Sequence, residues 1–581
     1  LIYDSFDSNE KWKFLDAFRG KDFTGTWPTI PEMFSISVKR FPHNRCLFTF
    51  YPQEETFDYT QVESIVLGLA GYLANHGVKK GDKIVLTGKN SPEWALAFLG
   101  SLYAGAVIVP LDNSFHTEDI EKFTGFVDAK WLFADKERID SIDEAGKFAL
   151  TRICLEPTDN HPFLLDCQEK PAQGIQKATE HDLAAILFTS GTTGTPKGVM
   201  LSHANLVSDC YIAQSQLAVY PTDVFYAILP IHHAYTMQSV FIETIGSGAA
   251  CLFGKKLVIS QVLKDLQDGN VTMFLGVPML FNKMITALMQ GIRKKGIIVY
   301  GVVRLMMSVS GFIKKRFHKN IGKRWFRPLL SKLSLQTNRL CICGGGPLPA
   351  STYRYFNELG IDFVQGYGLT EASPMTHLTP PEHFIVSSVG RSFPGEEVKI
   401  ADPDEDGNGI ICIKGPNVMQ GYYHNEEATK EVLSEDGWLN TGDVGHEDEN
   451  KYLYLTGRAK NIIVTEGGKN VFPEEIEDYF QLYDEIETLC VMGYLIDKKM
   501  KTEGIRILIY PTPKYTESVK KTHAGNYQAV IQKRMEEIVG EVNKELQGYK
   551  KISRVTVVDK PLPLTSTKKV KRFLVAQEYK D

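Results

Sequence analysis

The fold class this sequence predicts is α/β: a large region of layered sheets and helices, followed by a smaller α+β unit. Three observations carry that reading. Apolar strand-like runs alternate with helical stretches up to about residue 455, the signature of helices covering largely parallel sheets. At 581 residues the chain is too long for one ordinary domain. After Gly457-Arg458 the rhythm changes to short strands around one long helical stretch.

In chain order, Lys83 to Thr87 reads as a strand, Pro92 to Tyr103 as a helix and Ala106 to Leu111 as a strand. The same order recurs with Val224 to Leu229, Thr236 to Ile245 and Ala249 to Phe253. Val271 to Gly276 and Arg339 to Cys343 read as further buried strands. Asp402 to Gly409 (DPDEDGNG) is a hairpin turn leading into a strand at Ile410 to Lys414. Beyond a boundary at Thr456 to Lys460, a helix starts at Pro473 with early glutamates that suit the helix dipole, running to Leu482. Strands at Leu489 to Ile496, Ile505 to Tyr510 and Val555 to Val558 surround a helix from Asn526 to Leu546. The domains are thus 1–457 and 458–581.

Composition narrows the function classes. The net charge of -5 argues against a general nucleic-acid binder. Nine cysteines, with only Cys341 and Cys343 close together, form neither a metal pattern nor a disulfide framework; buried thiols in a reducing, cytoplasmic setting are expected. The first residues carry Asp4, Asp7 and Glu10 and no apolar core, so no signal peptide is expected there.

The chemistry-bearing stretch is Leu187 to Met200, LFTSGTTGTPKGVM. A strand-like run from Leu183 leads into Thr189, Ser190, Gly191, Thr192, Thr193 and Gly194, then Pro196, Lys197 and Gly198. Small residues permit close backbone approach, successive N–H groups form an anion-binding concavity, and Lys197 adds positive charge. This is a polyphosphate loop, yet not the Walker pattern, because Gly198 follows Lys197. Four other segments stand out. LPIHHAY places His233 and Tyr235 after a strand. CGGGPL puts Gly344 and Gly345 in a tight strand-to-helix turn. QGYGLTE contains Gly366, Tyr367, Gly368, Thr370 and Glu371: a flat face for a purine, a hydroxyl for phosphate and a hard oxygen ligand for Mg²⁺. Asp443, in TGD, and Arg458 are spaced to flank one sugar.

Read together, these motifs resemble the adenylate-forming superfamily of acyl-CoA synthetases, peptide-synthetase adenylation domains and beetle luciferases. The resemblance runs from the Tyr59-Thr60 region to Arg572. It implies a large N-terminal domain of layered α/β sheets with a small β-barrel-like region, and a small mobile C-terminal α+β domain. PLTSTKKVKR near the end resembles the superfamily's lysine motif and places the catalytic lysine at Lys569, with Thr567 and Lys568 standing where Ser and Gly are usual. Ile410 and Val464 are further departures, from a Glu and a Lys. The resemblance implies that His233, Glu371, Thr189 and Lys569 act in catalysis and that Glu371 holds Mg²⁺. It implies that Gly344 and Gly345 contact adenine and that Asp443 and Arg458 hold the ribose. Lys460 becomes the hinge, and Gly467, Gly468 and Lys469 shape a thiol tunnel; a plain hairpin is the alternative reading of that turn.

The implied reaction uses ATP, Mg²⁺ and coenzyme A. A carboxylate attacks the α-phosphate to give an acyl-adenylate and pyrophosphate, then a thiol displaces AMP. A long-chain fatty acid is the expected substrate, because a stretch without Asp or Glu from Gly269 to Asn357 resembles an insertion in bacterial long-chain acyl-CoA synthetases. Alternatives are another carboxylate, acyl carrier protein as acceptor, a fatty acyl-AMP ligase, or a nucleotide-binding pseudoenzyme scaffold. Within that stretch Gly296 to Ile313 is apolar apart from Arg304 and bracketed by basic triplets. Its length suggests a membrane span, but the flanking strands should share one sheet. The reading adopted is a segment packed on the core with a basic rim for anionic lipid or carrier protein, in a cytoplasmic protein peripheral to the inner face of a membrane.

Overall fold

Helix Pro92–Tyr103 shows how the large region is built. Ser91 caps it by accepting from the Trp94 N–H, and Pro92 fits the first turn. Its residues from Pro92 to Leu102 are buried nearly all round, as expected of a helix held between two sheets. Trp94 stacks on Phe98 at 5.5 Å, and both meet Phe241 edge-on. The computed structural model describes residues 12–579 except 147–149, 173, 190–195, 256, 466–468, 498–501 and 566–568.

Two large sheets flank this layer. The nine-stranded sheet has a parallel centre in the order Asp362–Gly368, Leu340–Cys343, Met273–Gly276, Val224–Ala227, Ala250–Phe253, Arg45–Thr49, with antiparallel edges. The seven-stranded sheet joins Leu183–Thr189, Val107–Leu111, Lys83–Thr87, Trp131–Ala134 and Thr151–Cys154 in parallel; Lys197–Ser202 and Gly421–Tyr422 add antiparallel strands at one edge. One hydrophobic core spans both sheets, from Ile84 and Ile108 through Trp94 to Phe225 and Cys251. All nine cysteines are buried free thiols.

The small β region is a four-stranded antiparallel sheet, Glu397–Ala401, Gly409–Lys414, Leu439–Glu447 and Leu453–Arg458. The hairpin turn expected at Asp402 to Gly409 joins its first two strands. Past it, strands Ile486–Asp497, Thr502–Pro511 and Arg554–Val557 pack with helices Pro513–Thr522 and Tyr527–Glu545 around Ile507, Ile509, Met535 and Ile538.

Several elements differ from expectation for local reasons. The strand at Val224 stops at Ala227, and Asn90 donates to the carbonyls of both Ala227 and Leu229 as the chain turns. The single helix read from Thr236 widens into a π-helical stretch at Met237–Ile242 before Glu243–Ser247. The helix from Pro473 ends at Glu477 and tightens to a 3₁₀ turn over Asp478–Phe480; Gln481 donates to Asp478 at 2.9 Å and to the Pro347 carbonyl at 3.3 Å.

The segment read as packed on the core requires the largest correction. It is a helix, Ile297–Phe317, with 17 % of its most apolar window buried. The strands before and after it, Met273–Gly276 and Leu340–Cys343, are parallel neighbours, as expected. Lys314, counted in the basic rim, is instead buried and pairs with Asp362 at 2.8 Å.

Candidate active site

The motif loops leave from the carboxyl ends of parallel strands, where open α/β sheets bind ligands. Thr189 ends Leu183–Thr189, and Asp112 follows Val107–Leu111. His232, His233 and Tyr235 follow Val224–Ala227, and Gly344 follows Leu340–Cys343. Gly366, Tyr367 and Gly368 end Asp362–Gly368, just before Thr370 and Glu371.

At the phosphate end, Thr189 and Lys197 face each other across an antiparallel pair. The tip between them, including Ser190, Gly191, Thr192, Thr193 and Gly194, lies outside the described residues. The Lys197 ammonium stands 4.7 Å from the Tyr422 ring centroid, within cation–π range. Tyr422 in turn donates to Glu371 Oε1 at 2.9 Å, and the Glu371 carbonyl accepts from the Met419 N–H. One phenol therefore ties the loop lysine to the predicted metal ligand. A single carboxylate on a fixed turn fits Mg²⁺, which takes one or two carboxylates and completes its shell with phosphate and water oxygens.

At the sugar end, Asp443 and Arg458 sit opposite each other on neighbouring strands, with Arg458 Nε 2.8 Å from Asp443 Oδ1. Tyr367 donates to Asp443 Oδ2 at 2.7 Å. The open purine face expected at Tyr367 is nearly closed, since the residue is 9 % exposed and tilts against His377. Its hydroxyl orients the Asp443 carboxylate.

At the carboxylate end, Tyr235 donates to the carbonyls of Gly276 and Ile342, both at 3.3 Å, and so ties two neighbouring strand ends. A Cβ at Gly344 would come 3.1 Å from the Tyr235 ring. Gly344 is thus a glycine because Tyr235 passes close; no adenine contact is needed to explain it. Gly345 adopts φ +78°, a region that disfavours side chains. His233 lies beside His232, ring centroids 4.2 Å apart, and His232 Nε2 is 3.5 Å from Asp112 Oδ2. Burial, then His232 and Lys569, hold the His233 pKa down at about 3 against the pull of Asp112. His233 is therefore neutral at physiological pH.

Lys569 reaches this cleft from the C-terminal segment. Lys569 is exposed as a residue, yet desolvation of its ammonium, then the charge of Arg458, lower its pKa while Asp443 opposes them. Its backbone N–H donates to Thr565 Oγ1 at 3.0 Å and its carbonyl accepts from the Thr565 N–H at 2.7 Å. Thr567 and Lys568 lie outside the described residues. Arg572 anchors the segment: it donates to Glu477 at 2.6 Å and to the Val491 carbonyl at 2.6 Å, and lies 3.6 Å from Glu474. Lys460 occupies an exposed 3₁₀ turn, Ala459–Asn461, directly after Arg458. Lys469 closes the turn after Ile463–Val464 by accepting from Thr465, while Gly467 and Gly468 lie outside the described residues.

Sequence reasoning missed Asp112, His232, Tyr422 and the structural role of Arg572. Tyr422 and Asp112 stand in ordinary-looking strand and loop sequence. Glu474 and Glu477, which hold Arg572, read in the sequence only as helix-start acids.

Fold and site together define an ATP-binding, adenylate-forming ligase of acids and thiols. The chain belongs to the AMP-binding enzyme family, whose family model matches residues 34–423. It is 26% identical to a chloroplastic long-chain-fatty-acid–[acyl-carrier-protein] ligase of Arabidopsis thaliana, over 96% of this chain and 86% of that protein. It is 28% identical to 4-coumarate–CoA ligase 1 of Petroselinum crispum, over 89% and 88%. The ATP-bound crystal structure of MatB from Rhodopseudomonas palustris superposes with a TM-score of 0.74 at 25% identity, covering 95% of this chain and 99% of that one.

Proposed function

We propose that this enzyme activates a long-chain fatty acid to its acyl-adenylate and transfers the acyl group to coenzyme A. The observation that carries the adenylation half is the convergence of Lys569 with Asp443, Arg458 and His233. A lysine ammonium in that cleft offsets the charge that accumulates when a carboxylate meets the α-phosphate. Neutral His233 lines the carboxylate's approach without adding charge there. Lys197, fixed beside Tyr422, serves the outer phosphates. Glu371 would hold Mg²⁺, which supplies charge neutralisation on the phosphate oxygens.

The thioester half uses the unit from 458 to 581 as a separate domain turning about Lys460, so that the turn at Gly467, Gly468 and Lys469 replaces Lys569 at the site. Two relatives support a long-chain substrate: the Arabidopsis ligase, and a rat long-chain-fatty-acid–CoA ligase 27% identical over 78% of this chain and 67% of that protein. The Arabidopsis relative also favours a second reading, in which acyl carrier protein accepts the acyl group.

The test is a carboxylate panel, from acetate through hexadecanoate and including coumarate and ferulate, assayed for AMP formation with coenzyme A, with acyl carrier protein and with neither. Highest kcat/KM on long fatty acids with coenzyme A is expected. A preference for aromatic or short acids would overturn the substrate, and dependence on the carrier protein would overturn the acceptor.

A further inference from the structure

Helix Ile297–Phe317 is amphipathic in the reverse sense. Two of its charged residues turn inward, while Lys315 and Arg316 at its end stay exposed: Arg304 donates to Glu358 at 2.8 Å, and Lys314 pairs with Asp362 and donates to Asn357 and the Ile361 carbonyl, both at 2.9 Å. Most of its apolar residues turn outward, while Met307 packs into the core. Ile298, Leu305 and Phe312 are 80 %, 67 % and 64 % exposed, and at seven-residue spacing they share one face. That stripe is about 21 Å long at 1.5 Å per residue. Soluble proteins rarely leave an apolar strip of this length uncovered.

The helix is long and apolar enough to cross a bilayer, with a mean hydropathy of 1.6. It does not cross one here. The chain before it is fixed by Phe281, Met284 and Ile285 in the core. The chain after it is fixed by Asn320, which donates to the Gly360 carbonyl at 2.8 Å. Both ends thus stay on one body, and the outward face can only lie along a surface.

Its surroundings are cationic. Arg293, Lys294 and Lys295 are exposed before the helix, and Lys315, Arg316 and Lys319 at its end. An open pocket of about 450 Å³ beyond it is lined by Asn320, Lys323, Arg324, Arg327, Leu330 and Gln336, and Trp325, next to Arg324 in sequence, is half-exposed. Guanidinium groups suit phosphate, and an indole suits the boundary between headgroup and acyl chain.

We infer that this face is a docking surface for an anionic phospholipid bilayer: the stripe enters the acyl boundary, and the cavity beside it takes a lipid phosphate. The surface is separate from the proposed active site, and its test needs no turnover. The full chain is co-sedimented with vesicles of phosphatidylcholine alone, or mixed with phosphatidylglycerol, at low and high salt. Two triple variants are compared: Ile298→Glu with Leu305→Glu and Phe312→Glu, and Lys315→Glu with Arg316→Glu and Arg324→Glu. Lys314 is left intact because it is part of the core. Circular dichroism and melting temperature check that each variant folds.

The wild type should bind the anionic vesicles and release them at high salt. Loss of each basic residue should weaken binding about fivefold, and the apolar variant should bind neither vesicle. Equal binding to neutral and anionic vesicles, or none to either, would overturn the proposal. So would a dimer that the apolar variant dissociates without any lipid binding. A complex with acyl carrier protein, lost in either variant while vesicles stay unbound, would also overturn it.

Discussion

Tyr367 holds Asp443 at 2.7 Å through its hydroxyl, from a strand of a different sheet. With Arg458 on the other oxygen, the carboxylate is fixed on both sides. Burial, then the Asp443 charge, push the Tyr367 phenol well above its ordinary range, so it remains a donor at all relevant pH. If Asp443 faces the ribose, Tyr367→Phe should raise KM for ATP about tenfold, the scale of one hydrogen bond to a charged group. The carboxylate KM should move little; the reverse pattern would contradict the assignment of Asp443 to the nucleotide.

Lys569→Ala should slow acyl-adenylate formation about 100-fold or more, as when a transition-state charge contact is lost. Thioester formation from pre-made acyl-adenylate should be largely spared. Because the ammonium pKa is lowered, its charge is lost as pH rises, earlier than for an ordinary lysine. Adenylation should therefore show an alkaline decline below pH 10.5. Single-turnover rates of the two half-reactions check this, and equal losses in both would count against Lys569.

Arg572→Ala leaves the half-buried Glu477 without its cation. Removing one partner of a half-buried, charge-assisted pair costs about 1.5–3 kcal/mol, so the melting temperature should fall. The loop carrying Lys569 should loosen with it, giving an adenylation defect larger than the thioester defect. Arg572→Lys, which restores charge but not the fork, should recover stability better than rate. A stable Arg572→Ala enzyme with normal adenylation would show that the anchor is dispensable.

Lys460→Pro fixes one backbone dihedral in the turn after Arg458. If the C-terminal unit turns there, one half-reaction should survive and the thioester step should slow by about tenfold or more. Near-wild-type rates in both halves would place the turning point elsewhere or remove it.

His377 gives a pH test of the fold itself. It is 1 % exposed, and burial alone lowers its pKa to about 3. Folded, it stays neutral; unfolded, it takes a proton below about pH 6.5. Its contribution to stability is full above that value and is lost as pH falls towards 3. Between pH 7.5 and 5 the loss is about 2 kcal/mol by linkage. His377→Gln should show a stability-against-pH slope smaller by that amount in urea unfolding, and an unchanged slope would mean that the ring already ionises in the fold.

What was legible in the sequence was local. Helix Pro92–Tyr103 could be bounded correctly because Ser91 and Pro92 mark its start, and strand Lys83–Thr87 because its branched run has sharp ends. The Thr189 to Lys197 loop, Glu371, Asp443 and Lys569 stand out as family motifs. Long-range pairing was not. Lys314 reads as one of three surface charges, and only the fold brings Asp362 to it. Tyr422 looks like any edge-strand tyrosine until Glu371 and Lys197 arrive on either side. Arg572 resembles its basic neighbours, and its meaning lies in two glutamates from another helix.

The contact between Tyr235 and Gly344 bears on redesign. Tyr235 is a bulky side chain that a protein engineer would be tempted to cut. Yet the same side chain clasps the ends of two central strands and sets how closely the glycine turn can pass. A smaller residue at 235 would therefore slacken both strand ends and the glycine turn in one stroke. Selections that enlarge this region should drift away from position 235.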